Sequence, residues 1–351
     1  METMRERFGI PEGVHYLNHA YMSPLSRPVA RAAEAAMARA AWSWDIGPED
    51  FFRDVRRIRE RFARLIGAAD PERVALVPAT SYALAQVARN TPLAPGQNVV
   101  LLDEEFPSNR YTWRRRADEA DAEVRIVARP DSAADPGTAW SEKLADRIDA
   151  GTAAVSLSTV HWCDGTRIEL EAVAARAREV GAALIVDGTQ SIGAMAFALE
   201  RARPDAVICA GYKWLTGPYS LGVAWLGERF DGGRPVEETW MAREHSEDFA
   251  GLVRDEPRYR PGAARYDVGE AANFLLAPML AAALEQVLQW GPGQVEGHGR
   301  RLCGPLLEEL AARGFHPGVP GGGHLFGLRL PEEADPEETR RRLQGRGVHV
   351  S

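Results

Sequence analysis

Seven short apolar runs, at 74–77, 99–102, 124–127, 153–157, 183–186, 206–209 and 222–226, constrain this chain more than any other feature. Four or five consecutive apolar residues suit a strand covered on both faces, since a half-exposed strand would alternate with polar residues. Helical patterns fall between most of these runs, at 82–90, 108–120, 139–149 and 169–180. Strand and helix in alternation predict a mostly parallel sheet with helices on both sides, a three-layer α/β architecture. Two amphipathic helices, 27–43 and 50–66, are expected ahead of it.

From residue 276 the texture changes. Two long helical stretches (APMLAAALEQVLQW and GRRLCGPLLEELAARG), a Gly-rich turn at 317–323, the strand LFGLRL and the helix PEETRRRLQGRG read as a smaller α/β unit. The expected division is a large domain over 15–275 and a small domain built from 1–14 and 276–351. The last residues, GVHVS, stop in mid-strand by pattern. That predicts an exposed, unfinished strand and a small domain that is shortened.

A chain of 351 residues exceeds one small core, which agrees with two units. A net charge of −8 excludes nucleic acid and anionic membranes as main partners. Arginines are interleaved with acids (FFRDVRRIRERFARL), which is the pattern of solvated helix faces. No apolar run reaches membrane-spanning length, and the charged start METMRERFG has no signal-peptide character. Cys163, Cys209 and Cys303 share no metal-like spacing and cannot all pair, so a reducing cytoplasm is expected.

Only two lysines stand among forty arginines. Lys143 lies in a polar helix, SEKLADRI, as a solvated charge. Lys213 follows the apolar run 206–210 between Tyr212 and Trp214. There its amine loses solvation and its pKa falls, which suits Schiff-base chemistry; a Lys snorkelling from an apolar surface is the alternative. Ligands of open parallel sheets bind beyond the strands' carboxyl ends. Those ends supply Asp187 with Thr189 and Gln190, Thr80 and Ser81 before a helix, Glu105 and Phe106, then Tyr212 and Lys213. Pyridoxal phosphate would use each of these types. Its aldehyde needs an amine, its ring nitrogen a carboxylate, its ring face an aromatic, and its phosphate the N-terminus of a helix. Taken singly, each also has a structural explanation, for Asp187 an N-cap and for Phe106 a core position.

The stretches VHWCDGTRIEL…GAALIVDGTQSIGA and AGYKWLTGPYSLG resemble those of fold-type I pyridoxal-phosphate enzymes of the class V aminotransferase family. That family includes cysteine desulfurases, kynureninases and isopenicillin N epimerase-like proteins. The resemblance runs from Tyr16 to about Leu330. It implies that Lys213 forms the Schiff base, Asp187 pairs with the pyridine nitrogen, and Gln190 bonds the ring hydroxyl. Phe106 falls at the ring-stacking position, and Thr80, Ser81 and Tyr212 at the phosphate. Trp162 stands where desulfurases carry an Asn, and Ala210 where many relatives carry a phosphate-binding Ser. The loop 266–274 matches one that crosses a dimer interface to the partner's phosphate, which implies a homodimer. Relatives have Thr where this chain has Glu270, so Asn273 or backbone amides are the better candidates.

The expected activity is that of a pyridoxal-phosphate-dependent enzyme acting on an amino acid as small-molecule substrate, of aminotransferase or carbon–sulfur lyase type. Cysteine desulfurase, and a cofactor-binding protein without turnover, are the alternatives. A desulfurase needs a nucleophilic thiol. Cys209 lies in a core strand, Cys303 reads as a structural thiol, and Cys163 does not match the desulfurase position. His161, Trp162 and Asn109 are candidates for the substrate pocket, with Tyr111 a weaker one, and Arg110 and Arg114 are weak candidates for the substrate carboxylate. A dehydrogenase is disfavoured because no G-x-G-x-x-G follows the first strands.

Overall fold

The computed structural model describes residues 3–130, 135–317 and 323–351. Most of the expected Gly-rich turn at 317–323 therefore lies outside the described residues. In chain order the elements are β1 (His15–Tyr16), α1 (Arg27–Ala40), α2 (Asp50–Ile66), β2 (Val74–Val77), α3 (Thr80–Arg89), β3 (Asn98–Leu102), α4 (Pro107–Ala120) and β4 (Glu123–Val127). They continue with α5 (Pro136–Asp146), β5 (Thr152–Ser158), α6 (Leu170–Val180), β6 (Ala183–Asp187), α7 (Leu199–Ala202), β7 (Ala206–Ala210) and β8 (Gly222–Leu226). The last are α8 (Leu276–Trp290), α9 (Pro292–Ala312), β9 (His316–Pro317), β10 (Leu328–Arg329), α10 (Pro336–Gln344) and β11 (Val348–His349).

Seven strands form one sheet in the order β2-β8-β7-β6-β5-β3-β4, in which β8 runs antiparallel to both neighbours and the other pairs are parallel. Strands β2, β3, β5, β6 and β7 are almost wholly buried, as their unbroken apolar runs require. One core layer joins α2, α6 and α8 to one sheet face, and a second joins α3 and Trp113 of α4 to the other. Helix α2 shows why these segments fold as they do. Phe52, Val55, Ile58, Phe62 and Ile66 recur every three or four residues, so one face buries while arginines line the other. Gly67, in the left-handed region at φ 74°, ends the helix. Each fully buried side chain of this kind contributes about 2 kcal/mol, and Phe62→Ala would forfeit the largest of them.

The second unit departs from expectation in three ways. Helix α8 buries Ala277, Leu280, Leu284 and Val287 in the core of the large sheet, so we propose the boundary after Trp290 instead of at 276. The expected strand LFGLRL is paired only over Leu328–Arg329. The terminal run is half-buried and paired along one side. Strand β11 pairs in parallel with β1, His15 with Val348 and Tyr16 with His349, and Ser351 Oγ donates to Asn18 Oδ1 at 2.9 Å. Backbone N–H groups of His15 and Leu17 satisfy the edge that the pattern alone left open. Among the described residues, no helix is long and apolar enough to cross a membrane.

Candidate functional site

The carboxyl ends of β2, β3, β5, β6 and β7 lie along one edge of the sheet, and the start of β8 meets them because it is antiparallel. Asp187 is the last residue of β6 and is buried. Its Oδ1 accepts the Thr189 N–H at 2.9 Å, while burial pushes its pKa up. Thr189 Oγ1 in turn accepts the Ala210 N–H at 3.1 Å, which ties the ends of β6 and β7 together.

Lys213 lies three residues beyond β7 and is 8% exposed. Desolvation lowers its pKa, and the Asp187 charge opposes that shift. Its Nζ sits 5.5 Å from the centre of the Phe106 ring and 5.9 Å from that of Tyr212. Lys143, by contrast, is exposed on α5. Gly193 sets how close this loop can come, since at φ 103° a Cβ there would lie 2.3 Å from the Trp214 carbonyl oxygen. Thr80 and Ser81 form the first turn of α3, whose start has no side-chain cap, so its N–H groups and the exposed Ser81 hydroxyl remain available to an anion.

The remaining expected residues divide. Gln190 is buried and held at both ends, its Nε2 donating to Ala20 O at 3.0 Å and its Oε1 accepting from Trp214 Nε1 at 2.9 Å. One amide hydrogen remains for a ligand. Asn273 is exposed at the start of α8, where its Oδ1 accepts the Leu275 and Leu276 N–H groups. Its Nδ2 is left for other contacts. Trp162 is 39% exposed, meets Phe106 edge-on at 5.5 Å, and is anchored by a 2.7 Å bond from its Nε1 to Glu104 O. Glu270 adopts φ 59°.

His161 and Asn109 do not line the pocket. Both are fully buried, and a side chain that water cannot reach in a ligand-free structure does not face an open site. The His161 ring packs 5.1 Å from Trp140, and its nitrogens meet Asp103 O and the Arg129–Asp164 pair. Burial works against its charge, yet Asp164 and Cys163 together prevail and the pKa rises to about 9. Asn109 Oδ1 accepts from Ser156 Oγ at 2.7 Å beneath the sheet edge. Of the three free cysteines, Cys209 is buried, Cys303 half-buried and Cys163 exposed beside Trp162.

Several contacts carry no sequence signal. The segment 18–23 folds over the site, with Ser23 N–H donating to Tyr212 O at 2.9 Å and His19 stacked 5.2 Å from Trp214. Burial lowers the His19 pKa to about 4, so its ring is neutral there. The second unit reaches the same place, through His324 Nε2 at 2.7 Å from Gln190 O and the Gly327 N–H at 3.1 Å from Asp164 O. Gly165 permits this approach, because a Cβ at its φ of 79° would lie 2.0 Å from Leu325 O.

An amine without solvent, a buried carboxylate, an aromatic face and an open helix N-terminus at one sheet edge fit pyridoxal phosphate. The comparisons with known proteins agree. The chain is 26% identical to an uncharacterized aminotransferase of Bacillus subtilis (YcbU), over 99% of this chain and 89% of that protein. It is 32% identical to a kynureninase of Pseudomonas fluorescens, over 89% of this chain and 74% of the relative. The fold matches a structure of a C-DES mutant, with glycine covalently linked to its pyridoxal-phosphate cofactor, at a TM-score of 0.85 and 17% identity; the match covers 100% of this chain and 92% of that one. The model of class V aminotransferases matches residues 48–248, and this chain belongs to that family of pyridoxal-phosphate enzymes.

Proposed function

We propose that the site at the sheet edge binds pyridoxal phosphate through Lys213 and acts on the alpha carbon of an amino acid. The enzyme is of aminotransferase or carbon–sulfur lyase type. The observation that carries the residue assignment is the desolvated Lys213 amine beside the buried Asp187 and the Phe106 ring. When bound, the cofactor supplies an electron sink for the substrate's alpha carbon. The other tasks fall to the chain. Asp187 holds the ring nitrogen's proton, Phe106 covers one ring face, and Tyr212 with the first turn of α3 at Thr80 and Ser81 receives the phosphate. Gln190 spends its remaining amide hydrogen on the ring hydroxyl. Lys213 Nζ, once released, takes and returns the alpha proton, which a lowered pKa favours. Trp162 stands at the mouth and narrows it on the Phe106 side.

The same family resemblance supports a homodimer in which the loop 266–274 approaches the partner's phosphate, with Asn273 as its contact. Three free cysteines support a cytoplasmic location. Cys163 is exposed at the mouth, and for that reason desulfuration is the second reading. Adding amino acids one at a time to the reconstituted enzyme separates the two readings. Formation of a keto acid with pyridoxamine phosphate marks transamination, sulfur release with pyruvate and ammonia marks carbon–sulfur lyase chemistry, and sulfur release with alanine marks desulfuration. An enzyme whose cofactor absorbance responds to no amino acid contradicts the proposal.

A further inference from the structure

Glu105 is the one group at the sheet edge that the assignment above leaves without a role. It lies three residues beyond β3, is 2% exposed, and carries a carboxylate into a place where a lone charge is costly. Three donors converge on it. Oε2 accepts the Ser158 N–H at 3.0 Å, and Oε1 accepts both the Ser158 hydroxyl and the Phe106 N–H, the latter at 3.2 Å. Ser158 is the last residue of β5 and stands in register opposite Asp187. One carboxylate therefore grips the strand end beside Asp187 and the backbone of the ring-stacking Phe106.

Donors on both oxygens suit a carboxylate and not a neutral amide, which has a single acceptor oxygen. The choice of an acid puts two buried carboxylates on neighbouring strand ends, and the Asp187 charge adds to the desolvation that already raises Glu105. Neither gains from the other's charge in the empty protein. A cation between or beside them would gain from both. Lys213 is one such cation, and Asp187 stabilises it. The protonated ring nitrogen of the bound cofactor is the other.

We propose that Glu105 is a positioning residue whose buried negative charge, set behind Asp187 through Ser158, reinforces retention of the proton on the cofactor's ring nitrogen. This rests on the assignment of Asp187 to that nitrogen. Glu105 touches neither cofactor nor substrate; it acts through Asp187 and through the placement of Phe106.

The test compares binding of pyridoxal phosphate with binding of its 1-deaza analogue, in which a C–H replaces the ring nitrogen. Dissociation constants are measured for the wild-type protein, Glu105→Gln and Ser158→Ala. Wild type is expected to prefer pyridoxal phosphate. Glu105→Gln keeps the shape but loses the charge and one acceptor, so it should weaken pyridoxal phosphate by about tenfold more than the deaza analogue, the scale of one buried charge acting over several ångströms. The deaza analogue registers only the lost acceptor, since it has no proton to hold. A purely structural Glu105 would weaken both ligands equally, and that result overturns the proposal. If wild type itself shows no preference, the Asp187 assignment fails and the proposal falls with it. Should Glu105→Gln not fold, Ser158→Ala decides. It removes a donor that holds the carboxylate ionised, so its preference should fall below that of wild type, and an unchanged preference contradicts the role of the charge.

Discussion

Burial usually lowers the pKa of a histidine, and at His161 two neighbours reverse that, with a consequence for stability. The Asp164 carboxylate 3.6 Å away and the adjacent Cys163 raise the folded pKa to about 9 from an ordinary 6.5. A group whose pKa is raised on folding stabilises the protein fully below its unfolded pKa. The contribution fades as the pH climbs through the folded value. Wild type should therefore lose roughly 2–3 kcal/mol between pH 6.5 and 9 that His161→Gln does not lose. Urea unfolding at the two pH values measures the difference, and equal losses in both proteins contradict the account. The burial of Lys213 and Asp187 was legible, because the apolar run before each announces it. The placement of His161 and Asn109 was not, since a turn residue's neighbours in sequence do not say whether it points up into the cleft or down under the sheet. Glu105 was legible as a strand-end acid, but its burial depends on Ser158, fifty-three positions away.

At the scale of elements, the loop 266–274 is fastened to β2, the strand that leads into Thr80 and Ser81. Asp267 Oδ1 accepts the Leu76 N–H at 2.8 Å, and its other oxygen meets Arg59 of α2 at 2.5 Å, both side chains being 3% exposed. The Val268 N–H donates to Leu76 O at 2.8 Å. Helix α2, strand β2 and the loop thus share one buried ion pair. Removing one partner strands the other charge in the core, so Arg59→Ala should cost about 3–5 kcal/mol in urea unfolding. A loss below about 1 kcal/mol would show that the pair does not fasten the loop. Strands and helices of the large sheet were legible to within a few residues, because continuous apolar runs and helical spacing report burial directly. The short strands β1, β9, β10 and β11 were not. Two residues carry no periodicity, and β1 with β11 exists only because the chain's two ends meet.

At the scale of the whole molecule, the fold gathers residues from five strand ends, a segment near the amino terminus and the second unit around one amine. His324 and the segment 18–23 reach the Gln190–Trp214 side of the site while Gly327 is bonded to Asp164, so the second unit packs against the large sheet at two places beside the site. The scarcity of lysine, which first marked Lys213, also makes the central claim easy to test. The reconstituted protein is reduced with borohydride, digested, and mapped by mass spectrometry for a pyridoxyl-phosphate adduct. Only peptides containing Lys143 or Lys213 can carry a lysine adduct. The account requires the adduct on Lys213, with Lys143 unmodified and Lys213→Ala free of adduct. An adduct on Lys143, or none on either lysine in protein that has bound the cofactor, would contradict it.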